Sequence, residues 1–178
     1  PLQALRMKAD VLIGGGAGGA DGIAFCYFDV PGGAFGEWIT GNGLIVRLKQ
    51  YTGAPPSVEV SYNNTLLADV GVDPAAIRLN QFVPFEVYVD YNGNCLVKYN
   101  YITYFSAALP GWSPQPSWGI AFAGRTGGAN DNHHVDSLSI SDSIPYLVSL
   151  TRTDATPVLA GTASVGYRAL FSEWVRNL

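Results

Sequence analysis

The chain has 178 residues, of which 48% are hydrophobic and only 13% are charged, and its formal net charge is −4. This balance excludes a disordered chain, because enough apolar side chains are present to build a core. The 10 Lys and Arg residues are scattered singly, which argues against a nucleic-acid partner. No apolar run reaches the roughly 18 residues of a membrane span, so no membrane insertion is expected, and the start at Pro1 suggests a processed or excised piece.

Apolar and polar residues alternate with period two in seven stretches, and this alternation predicts strands because successive side chains point to opposite faces. The predicted strands are 23–28, 44–51, 57–62, 82–90, 95–99, 118–123 and 135–140. Residues 2–13 supply a possible strand ahead of them. Asn92-Gly93 predicts a two-residue hairpin loop with positive φ angles, and the glycosylation sequon at Asn63 marks another turn. The fold class is therefore all-β.

Only two stretches favour a helix, residues 73–77 and the C-terminal residues 171–178. The sequence changes character near 143–145, after which 146–152 and 164–171 read as two further strands. We therefore expect a main domain over residues 1–142. Residues 143–178 are expected to be a linker and the first strands of another module.

A glycine cluster at residues 14–19 contains a formal G-x-G-x-x-G pattern. A dinucleotide-binding loop of this kind needs a helix directly afterwards, because the helix N-terminus holds the pyrophosphate. The segment that follows is alternating and rich in aromatic residues, so it predicts a strand. The cluster is interpreted as a loop between two strands.

Two segments resemble a known family. Ala20-Asp21-Gly22-Ile23-Ala24-Phe25 resembles a segment of legume-type lectins, and residues 124–133 with 135–140 resemble a concanavalin-A-like module of large secreted or surface proteins. The resemblance implies a two-sheet antiparallel jelly-roll sandwich, N-terminally shortened relative to complete members. It also implies an extracellular module that binds carbohydrate or mediates adhesion, with a glycan or glycoprotein, neighbouring modules or copies of itself as partners. The tail resembles the start of an immunoglobulin-like repeat.

In that family the turn that carries Asp21 and the loop 125–134 close over the sugar, which gives the candidate ligand-binding residues. They are Asp21, Gly22, Trp38, Gly127, Gly128, Asn130, Asn132 and His133. Trp38 is included because a tryptophan in a glycine-rich loop can stack on a sugar ring. A structural alternative, in which the polar residues only cap the turn, stays open for Asp21 and Asn132.

The resemblance places Arg47 and Lys49 where legume lectins carry two metal-binding acids. A cation repels Ca²⁺, so no cofactor is predicted, although calcium is left open with Asp131 and Asp136 as weak candidate ligands. Arg47 and Lys49 share one strand face, which is expected to be wet, with Glu59 opposite in a surface ion pair. A basic lining that favours acidic glycans is the alternative.

No catalytic set is predicted. Glycosidases need two carboxylates across the scissile bond, and the glutamates have no acidic neighbour at strand spacing. No G-x-S-x-G turn is present for a serine triad. Cys26 and Cys95 are equally compatible with two buried thiols or one disulfide. The rival to glycan binding is a structural spacer or assembly unit of a surface layer or filament whose sugar site has decayed.

Overall fold

A computed structural model describes residues 2–31, 36–50, 55–142, 146–152 and 167–172. Within these ranges the chain forms twelve strands and one short helix. The first strands are β1 (Leu5–Gly14), β2 (Gly22–Phe28), β3 (Gly43–Lys49), β4 (Ser57–Tyr62) and β5 (Thr65–Gly71). The helix α1 (Pro74–Ile77) follows, and then β6 (Phe82–Val89), β7 (Asn94–Tyr99), β8 (Ile102–Ala108), β9 (Gly119–Arg125), β10 (Asn132–Ser141), β11 (Tyr146–Arg152) and β12 (Tyr167–Ser172).

Ten of these strands form two five-stranded antiparallel sheets. The first sheet has the order β10-β1-β6-β7-β8, and the second has the order β5-β4-β3-β2-β9. β1 pairs with β6 and β10, while β2 pairs with β3 and β9, so each sheet joins strands that are distant in the sequence. This arrangement confirms the predicted all-β sandwich with a jelly-roll architecture.

One hydrophobic core lies between the two sheets, because the inward side chains of their strands are apolar. Phe25 and Val46 of the second sheet and Phe85 and Val97 of the first are each no more than 1% exposed. Burying a side chain of this size contributes about 1.5–3 kcal/mol. The core therefore fixes the positions of the turns at the ends of the strands.

A smaller cluster lies on the other face of the second sheet, beneath the segment 36–42. It consists of Ala24, Cys26, Phe28, Ile45 and Ala123, with Ile39 packed on it. The segment 36–42 thus lies on the sheet rather than projecting from it. Cys26 is a free buried thiol, as is Cys95, and burial raises the pKa of each to about 12.

The seven predicted strands are confirmed to within a few residues, whereas two strands escaped prediction. β5 and β8 are edge strands of their sheets, and most of their side chains are exposed. An edge strand of this kind has no buried face that requires alternation of apolar and polar residues. β1 occupies the place foreseen for residues 2–13.

Two-residue loops with positive φ lie at other turns than the expected one, and one of them is Asn100-Tyr101 between β7 and β8. Asn63 and Asn64 both have positive φ and join β4 to β5 as a two-residue loop. The loop between β6 and β7 is longer, and within it only Gly93 has positive φ. Gly93 donates its backbone N–H to the carbonyl of Asp90, so the two-residue prediction for Asn92-Gly93 is wrong.

The short helix at Pro74–Ile77 is confirmed, and Asp73 caps it by accepting a hydrogen bond from the Ala75 N–H. The predicted C-terminal helix is wrong at its start, because Phe171 and Ser172 end β12, and the rest of it lies outside the described residues. β11 and β12 form an antiparallel pair, while the linker at 143–145 is not described. Among the described residues no helix has the length and apolar character that a membrane crossing requires.

Candidate functional site

The turn at Asp21 and the loop after β9 meet at one end of the second sheet, as the sequence predicted. The backbone N–H of Asp21 donates to the carbonyl of Arg125 at 2.9 Å, and Gly22 pairs with Arg125 in the sheet. The peptide bond between Ala20 and Asp21 is cis. Residues 14–21, 36–42 and 125–134 together form the rim of the domain.

An ion-pair cluster lies at the centre of the rim. Nε of Arg125 lies 3.0 Å from Oδ2 of Asp21 and 3.6 Å from Oε1 of Glu37. The Glu37 side chain is fully buried, and neither of its carboxylate oxygens accepts a hydrogen bond. Burial raises the pKa of Glu37 above its ordinary value. The cluster thus contains a carboxyl group whose hydrogen-bonding capacity is unused.

The contact between Arg125 and Glu37 brings two acids together that strand spacing does not relate. Glu37 has no acidic partner at strand spacing, but it shares the Arg125 guanidinium with Asp21. A glycosidase would need both carboxyl groups in contact with the substrate. Because Glu37 is fully buried, this pair is not arranged to flank a glycosidic bond.

A cavity of 440 Å³ opens beside this cluster. It is lined by Asp21, Trp38, Arg125, Thr126 and Gly127. Trp38 is 48% exposed, which confirms that its loop presents the ring to solvent, and Nζ of Lys49 lies 5.5 Å from the ring centroid. A Cβ at Gly127 would lie 3.9 Å from Oδ2 of Asp21, which is ordinary van der Waals contact and places Gly127 directly beside the carboxylate.

Arg47 holds the segment that carries Trp38. Its Nε donates to the carbonyl of Glu37 at 2.7 Å, and its Nη2 donates to the carbonyl of Ile39. Its Nη1 donates to Glu59 and also to Ser61, the latter at 3.0 Å. Arg47 is only 4% exposed, so the expectation of a wet face is wrong at this residue. The covering segment 36–42 is the reason.

The basic residues of this face are neutralised by neighbouring acids. Glu59 lies opposite Arg47 in the sheet, as predicted, and pairs with both Arg47 and Lys49. Lys49 also lies 3.2 Å from Asp69. Since each cation has a carboxylate partner, the face does not present a net basic lining to an acidic glycan.

The other half of the rim is closed by a second ion pair. Nε of Arg78 donates to Oδ2 of Asp131 at 2.6 Å, and the Gly16 N–H donates to Oδ1 at 2.7 Å. Burial alone would raise the pKa of Asp131, but these hydrogen bonds hold it below its ordinary value. Asn130 accepts from the Ala17 N–H at 3.1 Å. The glycine cluster is thus a loop between two strands, as interpreted from the sequence, and it is held to residues 130–131 by these hydrogen bonds.

The remaining predicted ligand-binding residues differ in position. Gly22 is buried in β2, where a Cβ would lie 2.6 Å from the Leu48 carbonyl oxygen, whereas Gly128 lies in open space. Asn132 is exposed at the start of β10. His133 is half-buried, its Nε2 lies 2.7 Å from the Gln50 side-chain amide, and burial lowers its pKa. Of the predicted set, the structure brings Asp21, Trp38 and Gly127 to one cavity.

The weak calcium candidates do not form a coordination set. Asp131 is committed to Arg78, and Asp136 accepts from the Ser137 N–H at 2.6 Å. Throughout the described part of the chain, no group of three or more His, Cys, Asp or Glu side chains is placed to hold a metal ion. Arg47 and Lys49, which the resemblance places where legume lectins carry two acids, offer no oxygen ligand to Ca²⁺.

Sequence reasoning missed three residues of the site: Glu37, Arg125 and Thr126. Glu37 stands alone in a loop, and no local pattern predicts that it meets an arginine far along the chain. Arg125 ends β9, and its pairing opposite Gly22 follows only from the sheet order. A topology that placed β2 beside β9 would have shown this contact.

The fold is similar to that of solved lectin domains. One is the exoplasmic/lumenal domain of VIP36 in its Ca²⁺/Man3GlcNAc-bound form, at 18% sequence identity and a TM-score of 0.61, with 78% of this chain and 69% of that chain covered. The Ca²⁺/Man-bound form of the same domain matches at 20% sequence identity and a TM-score of 0.59, with 99% of this chain and 77% of that chain covered. A scan against protein-family models and a search of curated proteins found no match.

These likenesses define the class of fold. The two five-stranded sheets and the position of the rim place the chain among lectin-like jelly-roll sandwiches. Identities of 18% and 20% establish the fold and leave the ligand to be argued from the rim itself.

Proposed function

We propose that the main domain is a non-catalytic carbohydrate-binding module whose site is the cavity beside Asp21. The observation that carries the proposal is the convergence of Asp21, exposed Trp38 and Gly127 on one cavity of 440 Å³ at the rim of a lectin-like fold. The solved domains of similar fold are bound to Man and to Man3GlcNAc. Adhesion through glycans and an extracellular setting belong to the same proposal, with residues 143–178 linking to a further module.

Each lining residue has a chemical role in this proposal. Oδ2 of Asp21 faces Arg125, and Oδ1 accepts no hydrogen bond from the described residues, so it can accept from a sugar hydroxyl. Trp38 offers an aromatic face to the C–H groups of a sugar ring. Gly127 leaves room beside the carboxylate. Arg125 balances the charge of Asp21, which favours a neutral hexose over a uronic or sulfated sugar.

The proposed site works without a divalent cation. Arg47 fastens the segment that carries Trp38 through two backbone carbonyls and is paired with Glu59. Its guanidinium has donors and no acceptor, so this position supplies no oxygen ligand to a metal ion. The calcium of the solved domains therefore has no counterpart in the proposal.

Isothermal titration with mannose and with Man3GlcNAc tests the proposal. Wild type should bind at least one of them equally well with and without a chelator. Asp21→Asn should weaken binding about 10- to 100-fold, the cost of losing a charged hydrogen bond. Asp136→Asn is the matched control, because Asp136 belongs to β10 beyond the cavity, and it should leave affinity unchanged.

Three outcomes contradict the proposal. If Asp21→Asn bound the sugars as tightly as wild type, Asp21 would not be part of the binding site. Absence of binding to both sugars, extended to a glycan array, would leave the structural spacer or assembly unit as the remaining function. Binding lost on chelation would instead restore a metal requirement.

A further inference from the structure

A second groove lies on the outer face of the second sheet, on the other side of Trp38. It has a volume of 240 Å³ and is walled by the segment 36–42 on one side and by β5 on the other. Its lining includes Trp38, Thr40, Ser61, Asn64 and Leu66. Because Trp38 also lines the cavity at Asp21, the two spaces adjoin across one indole ring.

The groove combines apolar and polar groups in the manner of a saccharide site. Trp38 and Leu66 are 48% and 57% exposed and offer apolar surface from opposite walls. Ser61 accepts from Arg47 through Oγ, which leaves its hydroxyl proton for a ligand. Asn64 donates to Asn42 at 3.2 Å through one amide hydrogen and retains its carbonyl oxygen and its second hydrogen.

The floor of the groove is electrically balanced. Arg47 and Glu59 lie there as an ion pair, and Lys49 neutralises the second oxygen of Glu59. A neutral polyhydroxylated ligand therefore suits the groove better than an anion or a cation. The strong fastening of the segment 36–42 by Arg47 means that this wall is formed before a ligand arrives.

We propose that this groove is a second saccharide subsite, continuous with the first across Trp38, so that the ligand is an oligosaccharide of neutral sugars. The inference rests on the proposed function and deepens it. The first unit occupies the cavity at Asp21, a neighbouring unit lies between Trp38 and Leu66, and the indole contacts both. Small-molecule sites commonly enclose about 300–1,000 Å³, and the groove alone falls below that range, which suits a single ring.

The test compares mannose with Man3GlcNAc on wild type, Leu66→Ser and Val70→Ser. Val70 is the matched control, because it is also an exposed aliphatic residue of β5 but does not line the groove. Wild type should bind the tetrasaccharide more tightly than mannose. Leu66→Ser should lower the affinity for the tetrasaccharide Man3GlcNAc roughly fivefold to tenfold, because apolar contact is lost, and it should leave the affinity for mannose unchanged. Val70→Ser should change neither affinity.

Equal affinities of wild type for the two sugars, or a Leu66→Ser variant that binds the tetrasaccharide as wild type does, would overturn the second subsite. Asp21→Asn separates this failure from failure of the proposed function. If Asp21→Asn still weakens mannose binding, the first site stands alone. If wild type binds neither sugar, both proposals fall together. Leu66 is more than half exposed, so its replacement should not unfold the domain.

Discussion

The rim carries two fully buried carboxylates with opposite surroundings. Asp131 accepts hydrogen bonds from Arg78 and Gly16, and its pKa lies below the ordinary value. Glu37 accepts none, meets Arg125 only at 3.6 Å, and has a raised pKa because it is buried. The half of the rim around Asp131 is thus closed, whereas the half around Glu37 is incomplete and faces a cavity.

This difference separates a structural role from a functional one. A buried carboxylate with full hydrogen bonding stabilises a loop and has nothing left for a ligand. A buried carboxylate without hydrogen bonds lowers stability, while the groups of this half that a ligand can reach are those that line the cavity, among them Asp21 and Trp38. Substitutions of the two buried carboxylates should therefore have opposite consequences for stability.

The largest effect is expected from Arg47→Met, which removes the connection between the incomplete half and the sheet. The substitution removes one of the two cations paired with Glu59 and leaves the buried carbonyls of Glu37 and Ile39 without their donor, so the free energy of unfolding should fall by about 3 kcal/mol. Denaturant titration measures this. Lys8→Met is the control, because Lys8 and Glu86 form an exposed pair and should contribute less than about 1 kcal/mol. If Arg47→Met and Lys8→Met had the same free energy of unfolding, Arg47 would not anchor the segment 36–42 to the sheet.

Asp131→Asn should lower the free energy of unfolding by about 2 kcal/mol at pH 7, because Arg78 loses a charged partner. In wild type, the depressed pKa of Asp131 contributes stability above the unfolded value of about 3.9. That contribution is lost as pH falls through the folded pKa, and the variant should lack this acid dependence. Unfolding curves at pH 7 and pH 3 measure both effects, and an identical acid response in the variant would contradict the pairing.

Glu37→Gln should raise stability by about 1 kcal/mol at pH 7, because it removes a buried charge without hydrogen bonds. The raised pKa of Glu37 makes wild-type stability fall as pH rises from about 4.3, the unfolded value, through the folded pKa. Thermal unfolding from pH 4 to pH 7 should show a flatter profile for the variant than for Glu86→Gln. If Glu37→Gln were less stable than wild type, the Glu37 carboxylate would have to make a stabilising contact beyond those described here.

Asp21→Asn should change the free energy of unfolding least, by less than about 1 kcal/mol. Its partner Arg125 has a side chain that is 57% exposed and stays hydrated when the carboxylate is removed. The variant is therefore expected to lose sugar affinity while keeping its melting temperature. If it were as unstable as Asp131→Asn, the comparison between the two halves would collapse.

The sequence predicted the central strands well because their burial on one or both faces leaves a pattern in the residues. Leu44, Val46 and Leu48 point into the main core, as their alternation required. The exposed edge strands β5 and β8 carry no such pattern and were missed. Arg47 was placed on the correct face, but its burial depends on a covering segment that no local pattern reveals.

The site was predictable in part for the same reason. Asp21, Trp38 and Gly127 came from a resemblance and from loop composition, and all three line one cavity. The roles of Arg125 and Glu37 required the pairing of β2 with β9 and the path of the segment 36–42. Contacts between residues far apart in the chain are set by topology, which period-two patterns do not contain.

The position of β1 between β10 and β6 has a consequence for how the molecule assembles. β1 precedes the other described strands in the chain, yet its two partners are β6 and β10, and β10 ends at Ser141. The first sheet cannot close until nearly the whole sandwich has been synthesised. Native pairing of this kind has a high contact order and is slow. The exposed apolar strand must therefore be kept from aggregating during translation, and a rearranged chain with β1 placed after β10 should fold faster.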